Sequence, residues 1–166
     1  MQLNHYNTSF KEQTFPIIVI CDNVTNAPNV GSLFRICDAF GVEQLVFCGD
    51  VNPISRKMTK TSRATEKVVN YKVVTDLKTQ VLQLKKEGYT ILCLEITSNS
   101  KSIHEYKLQK NQKTVLIIGD ENFGIHEDIL ELSSAILHIN MFGQNSSMNV
   151  VQATNIALYE FTKQLQ

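Results

Sequence analysis

The chain has 166 residues, 43% hydrophobic and 19% charged, the proportions of one globular domain. A chain of that length buries roughly 70% of its unfolded surface without a disulfide or metal staple. Sixteen basic residues balance sixteen acidic ones, which excludes a globally basic nucleic-acid binder but leaves local patches open. Cys21, Cys37, Cys48 and Cys93 stand singly in apolar stretches, with no Cys-x-x-Cys and no histidine at ligand spacing. Buried, reduced thiols, no metal and a cytoplasmic location are expected. Residues 1–15 are polar and no apolar run approaches the ~20 residues of a membrane span, so neither a signal peptide nor a membrane partner is expected.

Short β-branched runs alternate with helical periodicity along the chain. Strands are predicted at residues 16–21, 44–48, 68–71, 89–94, 114–119 and 135–139, and helices at 30–40, 76–87, 126–132 and 149–164. Several strands are apolar on both faces, as strands covered by helices on each side must be, so the class is α/β with a mostly parallel sheet. No repeat or linker divides the chain. Residues 15–166 are expected to form one domain behind a short tail, residues 1–14.

Three segments carry chemistry. In the first, a strand ends at Cys21 and a polar loop leads through Pro28 and Asn29 into a helix closed by Gly41. At 100° per residue Val30, Leu33, Phe34 and Cys37 form the buried stripe, while Gly31, Arg35 and Asp38 share the flank turned away from it. Gly31 permits close approach of another chain segment. Arg35 is either a solvated arginine paired with Asp38 or a ligand-facing group beside the carboxyl end of the sheet, where ligands of open α/β folds sit. The second segment, Val115 to Ile125, is an apolar strand that breaks into a turn bounded by Gly119 and Gly124, with Glu121 between them. Two glycines allow positive φ and close backbone approach to a planar ligand; the alternative is an ordinary turn with Glu121 at a helix N-terminus. The third, Ile139 to Val150, is rich in amides and hydroxyls, of which Ser147 or Asn149 suits a helix cap. Neither a P-loop nor a G-x-G-x-x-G motif is present, so a nucleoside-containing cofactor needs another mode of binding.

In this order the segments resemble the three motifs of the SpoU/TrmH group within the SPOUT superfamily of RNA ribose methyltransferases. Asn29, Gly31, Arg35 and Ala39-Phe40-Gly41 match the first motif. Gly119, Glu121 and Gly124 match the second. Ile139, Met141, Gly143, Ser147, Asn149 and Ala153 match the third. Asn140 stands where the family usually has proline, and Met148 where it usually has leucine.

The resemblance implies a six-stranded, mostly parallel sheet with a C-terminal trefoil knot, S-adenosyl-methionine as cofactor and an obligate homodimer. Cofactor contacts would fall to Ile96, Gly119, Ile139, Met141, Ser147 and Met148, largely through backbone groups. The family's proposals make Arg35 the group that activates the 2′-hydroxyl. A guanidinium with pKa above about 12 is a poor base, so binding of the phosphate beside the target ribose is the preferred role. Asn29, Glu121, Ser147 and Asn149 would position ribose and arginine, some of them across the dimer.

Neutral overall charge conceals a basic segment. Residues 51–72 hold six basic residues (Arg56, Lys57, Lys60, Arg63, Lys67, Lys72) against one acid, Glu66, a local charge of +5. Beside these motifs the loop Arg56 to Arg63 reads as a phosphate-contacting element, with Arg56, Lys60 and Arg63 as RNA contacts. No separate RNA-binding domain is expected beside a catalytic domain in 166 residues, an expectation that favours tRNA over ribosomal RNA as substrate. Competing readings are a non-catalytic knotted or flavodoxin-like domain that binds a nucleoside or RNA, and a small-molecule O-methyltransferase, which would leave the basic segment without a purpose.

Overall fold

A computed structural model describes residues 10–50 and 53–166. The first nine residues of the expected tail, and Val51 and Asn52 of the basic segment, lie outside the described residues. Seven strands form one sheet: β1 (Phe15–Asp22), β2 (Val42–Cys48), β3 (Tyr71–Val74), β4 (Thr90–Leu94), β5 (Lys101–Ser102), β6 (Thr114–Gly119) and β7 (Ala135–His138). Their order is β3-β2-β1-β6-β4-β7-β5, and every strand pairing is parallel. Among the described residues four α-helices lie between strands, α1 (Ala27–Ala39), α2 (Arg56–Ser62), α3 (Leu77–Lys86) and α4 (Glu127–Leu132), and a fifth, α5 (Val150–Leu165), follows the last strand.

Side chains alternate across a strand, so β1 feeds two cores. Ile17, Val19 and Cys21 pack with Val30, Leu33, Phe34 and Cys37 of α1 and with Ala157, Leu158 and Phe161 of α5. Ile18 and Ile20 face the opposite side, against Leu77, Val81 and Leu84 of α3 and Ile129 of α4. Helices therefore cover both faces, and the apolar runs in β1 and β6 are apolar throughout because each of their faces is interior. Phe34 anchors the first core, with ring centroids 5.6 Å from Phe47 and 5.1 Å from Tyr71. Each such contact contributes about 0.5–1.5 kcal/mol beyond area burial. The four cysteines are free and buried, and burial pushes their thiols upward, that of Cys93 to about 12, so they are inert as nucleophiles.

Three expectations need correction. The third strand is Tyr71–Val74 rather than residues 68–71. The run Val68-Val69-Asn70-Tyr71-Lys72-Val73-Val74 offers two windows, and pairing of Leu45 with Tyr71 in β2 selects the later one. The sheet has seven strands, not six, because Lys101 and Ser102 pair with Leu137 and His138 at its edge; two polar residues leave no alternation to detect. The basic loop is largely helical: α2 begins at Ser55, whose Oγ accepts from Met58 N, and ends at Arg63 in the left-handed region with φ of 51°.

Candidate active site

The carboxyl ends of β4, β6 and β7 and the start of α5 enclose a cleft of about 430 Å³. That is the sheet edge where open α/β folds take ligands, and the volume lies within the ~300–1,000 Å³ range of small-molecule sites. All six expected cofactor residues, Ile96, Gly119, Ile139, Met141, Ser147 and Met148, line it, together with Ile118 and Ile125. Apolar side chains on several sides and exposed backbone of three loops suit a flat heterocycle held through main-chain groups. Among the described residues no lysine or arginine contributes to the wall, whereas Glu95, Asp120 and Glu121 do.

The loop from Gly119 to Ile125 is tightly built. Gly124 N donates to Asp120 O (2.9 Å), and Asp120 Oδ1 accepts from Asn122 N and Phe123 N (2.8 and 3.2 Å). Gly124 adopts a φ of +68°, while a Cβ on Gly119 would overlap the backbone of Gly124 and Ile125. The close approach anticipated at Gly119 is therefore made by the loop's own backbone rather than reserved for a ligand. Glu121 lies outside α4, whose first turn carries Glu127 and Asp128 instead, which removes the helix-terminus reading of Glu121.

On the rim, Asn29, Glu121 and Asn149 meet although they are 92 and 28 residues apart in sequence. Asn149 Nδ2 donates to Glu121 Oε1 (2.7 Å) and to Asn29 Oδ1 (3.2 Å), and Asn29 Nδ2 donates to the same Oε1 (3.1 Å). Asn149 also caps α5, its Oδ1 accepting from Val151 N (2.9 Å). Its capping and site roles thus coexist, one atom of the amide serving each. Glu121 Oε2 has no partner among the described residues, so one acceptor stays available at the cleft mouth. Ser147 is exposed beside it.

Arg35 does not join this network. It lies on α1 about 9 Å beyond Asn29 along the helix axis, is exposed, and makes no ion pair or hydrogen bond among the described residues. The surface pair with Asp38 is absent. Gly31, one turn earlier, is buried. A Cβ there would overlap Thr61 Oγ1 and Met58 O of α2, so this glycine seats the basic helix directly on α1. Arg56, Lys60 and Arg63 are all exposed on that helix and its cap. The carboxylate of Glu66 accepts from the buried Ser62 Oγ, which holds Glu66 below the usual carboxylate range and ties the end of α2 to the turn that follows.

Sequence reasoning missed three groups. Asp22, buried at the end of β1, accepts from His126 N (3.0 Å) and from His126 Nδ1 (2.8 Å), fixing the chain that leaves the Gly119–Ile125 loop. Its hydrogen bond, and then its charge, raise the His126 imidazole above its usual value of 6.5. Glu95, just after β4, accepts from Ile125 N (3.3 Å) and Ile96 N (2.8 Å). His138 bridges Ser100 Oγ and Asn140 Oδ1 (3.0 Å each), so a side-chain chain restrains the loop at the position where a proline ring would otherwise fix it. An acid directly after an apolar strand was the available signal for Asp22 and Glu95.

A family model described as the SpoU rRNA Methylase family matches residues 16–159. The tRNA (guanosine(18)-2′-O)-methyltransferase of Aquifex aeolicus is 30% identical over 148 residues, covering 89% of this chain and 69% of that protein. The crystal structure of the A. aeolicus TrmH/SpoU tRNA modifying enzyme superposes with a TM-score of 0.82 at 30% identity, over 93% of this chain and 77% of that one. An AdoMet-bound rRNA methyltransferase from Sinorhizobium meliloti shares the fold, with a TM-score of 0.85 at 20% identity over 95% of this chain and 59% of that one. Motif order, cleft position and these likenesses agree: the chain belongs to the SpoU methylase family.

Proposed function

We propose that this protein transfers the methyl group of S-adenosyl-methionine to a ribose 2′-hydroxyl of tRNA. The observation that carries the reading is the adjoining of a mainly apolar, backbone-lined cleft to the Asn29–Glu121–Asn149 network on its rim. The walls fit the group: apolar side chains can sandwich an adenine, main-chain donors and acceptors can read its edge, and the carboxylates suit a cationic ligand. Ile96, Gly119, Ile139, Met141, Ser147 and Met148 would hold it. When bound, the cofactor supplies an electrophilic methyl carbon attached to a sulfonium leaving group.

The protein's own task is alignment and proton management. Holding a hydroxyl in line with its target carbon can supply up to ~7–11 kcal/mol. Glu121, steadied by two amides, has Oε2 available to accept from a ribose hydroxyl, and Ser147 borders the same space. Arg35, with no partner in its own chain among the described residues, is suited to grip the phosphate next to the target ribose. There it lowers the pKa of the hydroxyl, and the phosphate can take the proton. Arg56, Lys60 and Arg63 extend this positive surface along the RNA backbone.

The same reading includes a homodimer, a C-terminal trefoil knot, a single catalytic domain over residues 15–166 and a cytoplasmic location. Exposed Phe10, Val68 and Tyr159 around the ends of α1 and α5 support a second copy seated there, and some site residues would then be shared across it. Insertion of β6 between β1 and β4, with three loops converging on one cleft, supports threading of the C-terminal segment. Free, buried cysteines support a reducing compartment.

Mapping 2′-O-methyl groups in total RNA from cells with and without the protein tests the reading. Loss of one tRNA mark is the expected result, and guanosine 18 is the first position to examine, given the name of the A. aeolicus relative. Loss of a ribosomal mark would give the rRNA reading, and unchanged maps the non-catalytic one.

A further inference from the structure

We propose that Glu95 is the acceptor for the ribose cis-diol of the cofactor. This rests on the reading of the cleft as the S-adenosyl-methionine site. Glu95 follows β4 and stands half-buried in the cleft wall, flanked by Ile96 and by Ile125. Its two oxygens are each held by one backbone N–H: Oε1 by Ile96 N at 2.8 Å and Oε2 by Ile125 N at 3.3 Å. Oε2 rests on Gly124, where a Cβ would come within 2.6 Å of it. The side chain is thereby fixed in orientation, yet each carboxylate oxygen keeps a second lone pair.

The other two acids of the cleft are held by one oxygen each, Asp120 Oδ1 by two backbone N–H groups and Glu121 Oε1 by two amides, whereas Glu95 alone has both oxygens fixed by one backbone N–H apiece and so presents a second lone pair on each. Among the described residues no lysine or arginine lines the wall to neutralise Glu95, so its second lone pairs are open to donors on a ligand. Position selects which donors. Glu95 lies among Ile96, Ile118 and Ile125, walls that suit the base, and the ribose is the part of the ligand bonded directly to that base. The ammonium lies at the far end of the molecule, beyond the sulfur, which has to face the Asn29–Glu121–Asn149 rim. Paired acceptors on one rigid carboxylate match vicinal hydroxyls, the way an acid reads a ribose in dinucleotide sites.

The test is calorimetric titration of S-adenosyl-homocysteine and of its 2′-deoxy analogue into the wild-type protein and into Glu95→Gln, which keeps size and one acceptor. Removing either the hydroxyl or the charge is expected to weaken binding about tenfold, and removing both little more than either alone. Penalties that multiply to about a hundredfold would make Glu95 only a strut between loops and overturn the inference. If Glu95→Gln does not fold, equal affinity of the wild type for the two ligands overturns it as well. Failure of S-adenosyl-homocysteine to bind the wild-type protein would instead overturn the cofactor reading, and this inference with it.

Discussion

The cleft at the ends of β4, β6 and β7 and the α1–α2 face beside it are built on opposite principles. The cleft is apolar and acidic, without a lysine or arginine in its wall among the described residues, and its loops are pinned by carboxylates that accept from backbone N–H groups. The α1–α2 face is basic and held by packing: Gly31 admits α2, Met58 is buried beneath it, and the arginines and lysines remain outside. One region suits a compact cationic ligand held in a fixed pose, the other a polyanion gripped by exposed side chains. The chain's net charge of zero conceals these two regions of opposite sign, and their functions can be lost separately.

The largest separation is expected from Arg35→Ala. Turnover should fall by about a hundredfold to a thousandfold, as for removal of one transition-state contact, while calorimetric affinity for S-adenosyl-homocysteine stays unchanged. Comparable loss of cofactor affinity would merge the two regions. Gly31→Val comes next. Its side chain would overlap Thr61 and the Met58 carbonyl, so α2 has to move, at a cost of about 1–3 kcal/mol in thermal or urea unfolding. RNA affinity should drop with it, and cofactor affinity should not.

Smaller effects sharpen the contrast. Lys60→Ala and Arg63→Ala should each weaken binding to any tRNA alike and reduce the salt-dependence slope by about 1; a sequence-selective effect would contradict a phosphate role. The smallest is a pH effect at the end of β1, where Asp22 holds the chain that leaves the Gly119–Ile125 loop. Because Asp22 raises the imidazole of His126, their ion pair stabilises the fold fully below about pH 6.5 and is lost as pH rises through the raised value. The gap in Tm between wild type and His126→Gln should be widest in mildly acidic buffer and narrow above neutrality. A gap that widens with pH would mean the pairing is not the source of stability.

Much of this contrast could be read in the sequence. Apolar strands and the helix stripe Val30, Leu33, Phe34 and Cys37 declare themselves because burial on both faces demands uniform composition. The three motifs led to Asn29, Glu121 and Asn149, which the fold joins in one network. What stayed hidden had no periodic signature. The helix α2 buries only Met58 and Ser62, so its charges read as a loop, and β5 is two polar residues long. The shift of β3 depends on pairing with Leu45 rather than on propensity. Gly31 was legible as a point of close approach, but the segment that approaches, the helix α2, was not. Glu95 and Asp22 act through backbone donors 30 and 104 residues away, and such partners are set by topology alone.

The most direct test of the central claim combines purified protein, methyl-labelled S-adenosyl-methionine and unmodified tRNA, followed by nuclease digestion and separation of the nucleosides. The account predicts label in a 2′-O-methylated nucleoside, appearing about a hundredfold to a thousandfold more slowly when Arg35 is alanine. Label on a base, or no label from a protein that binds both cofactor and tRNA, would contradict it.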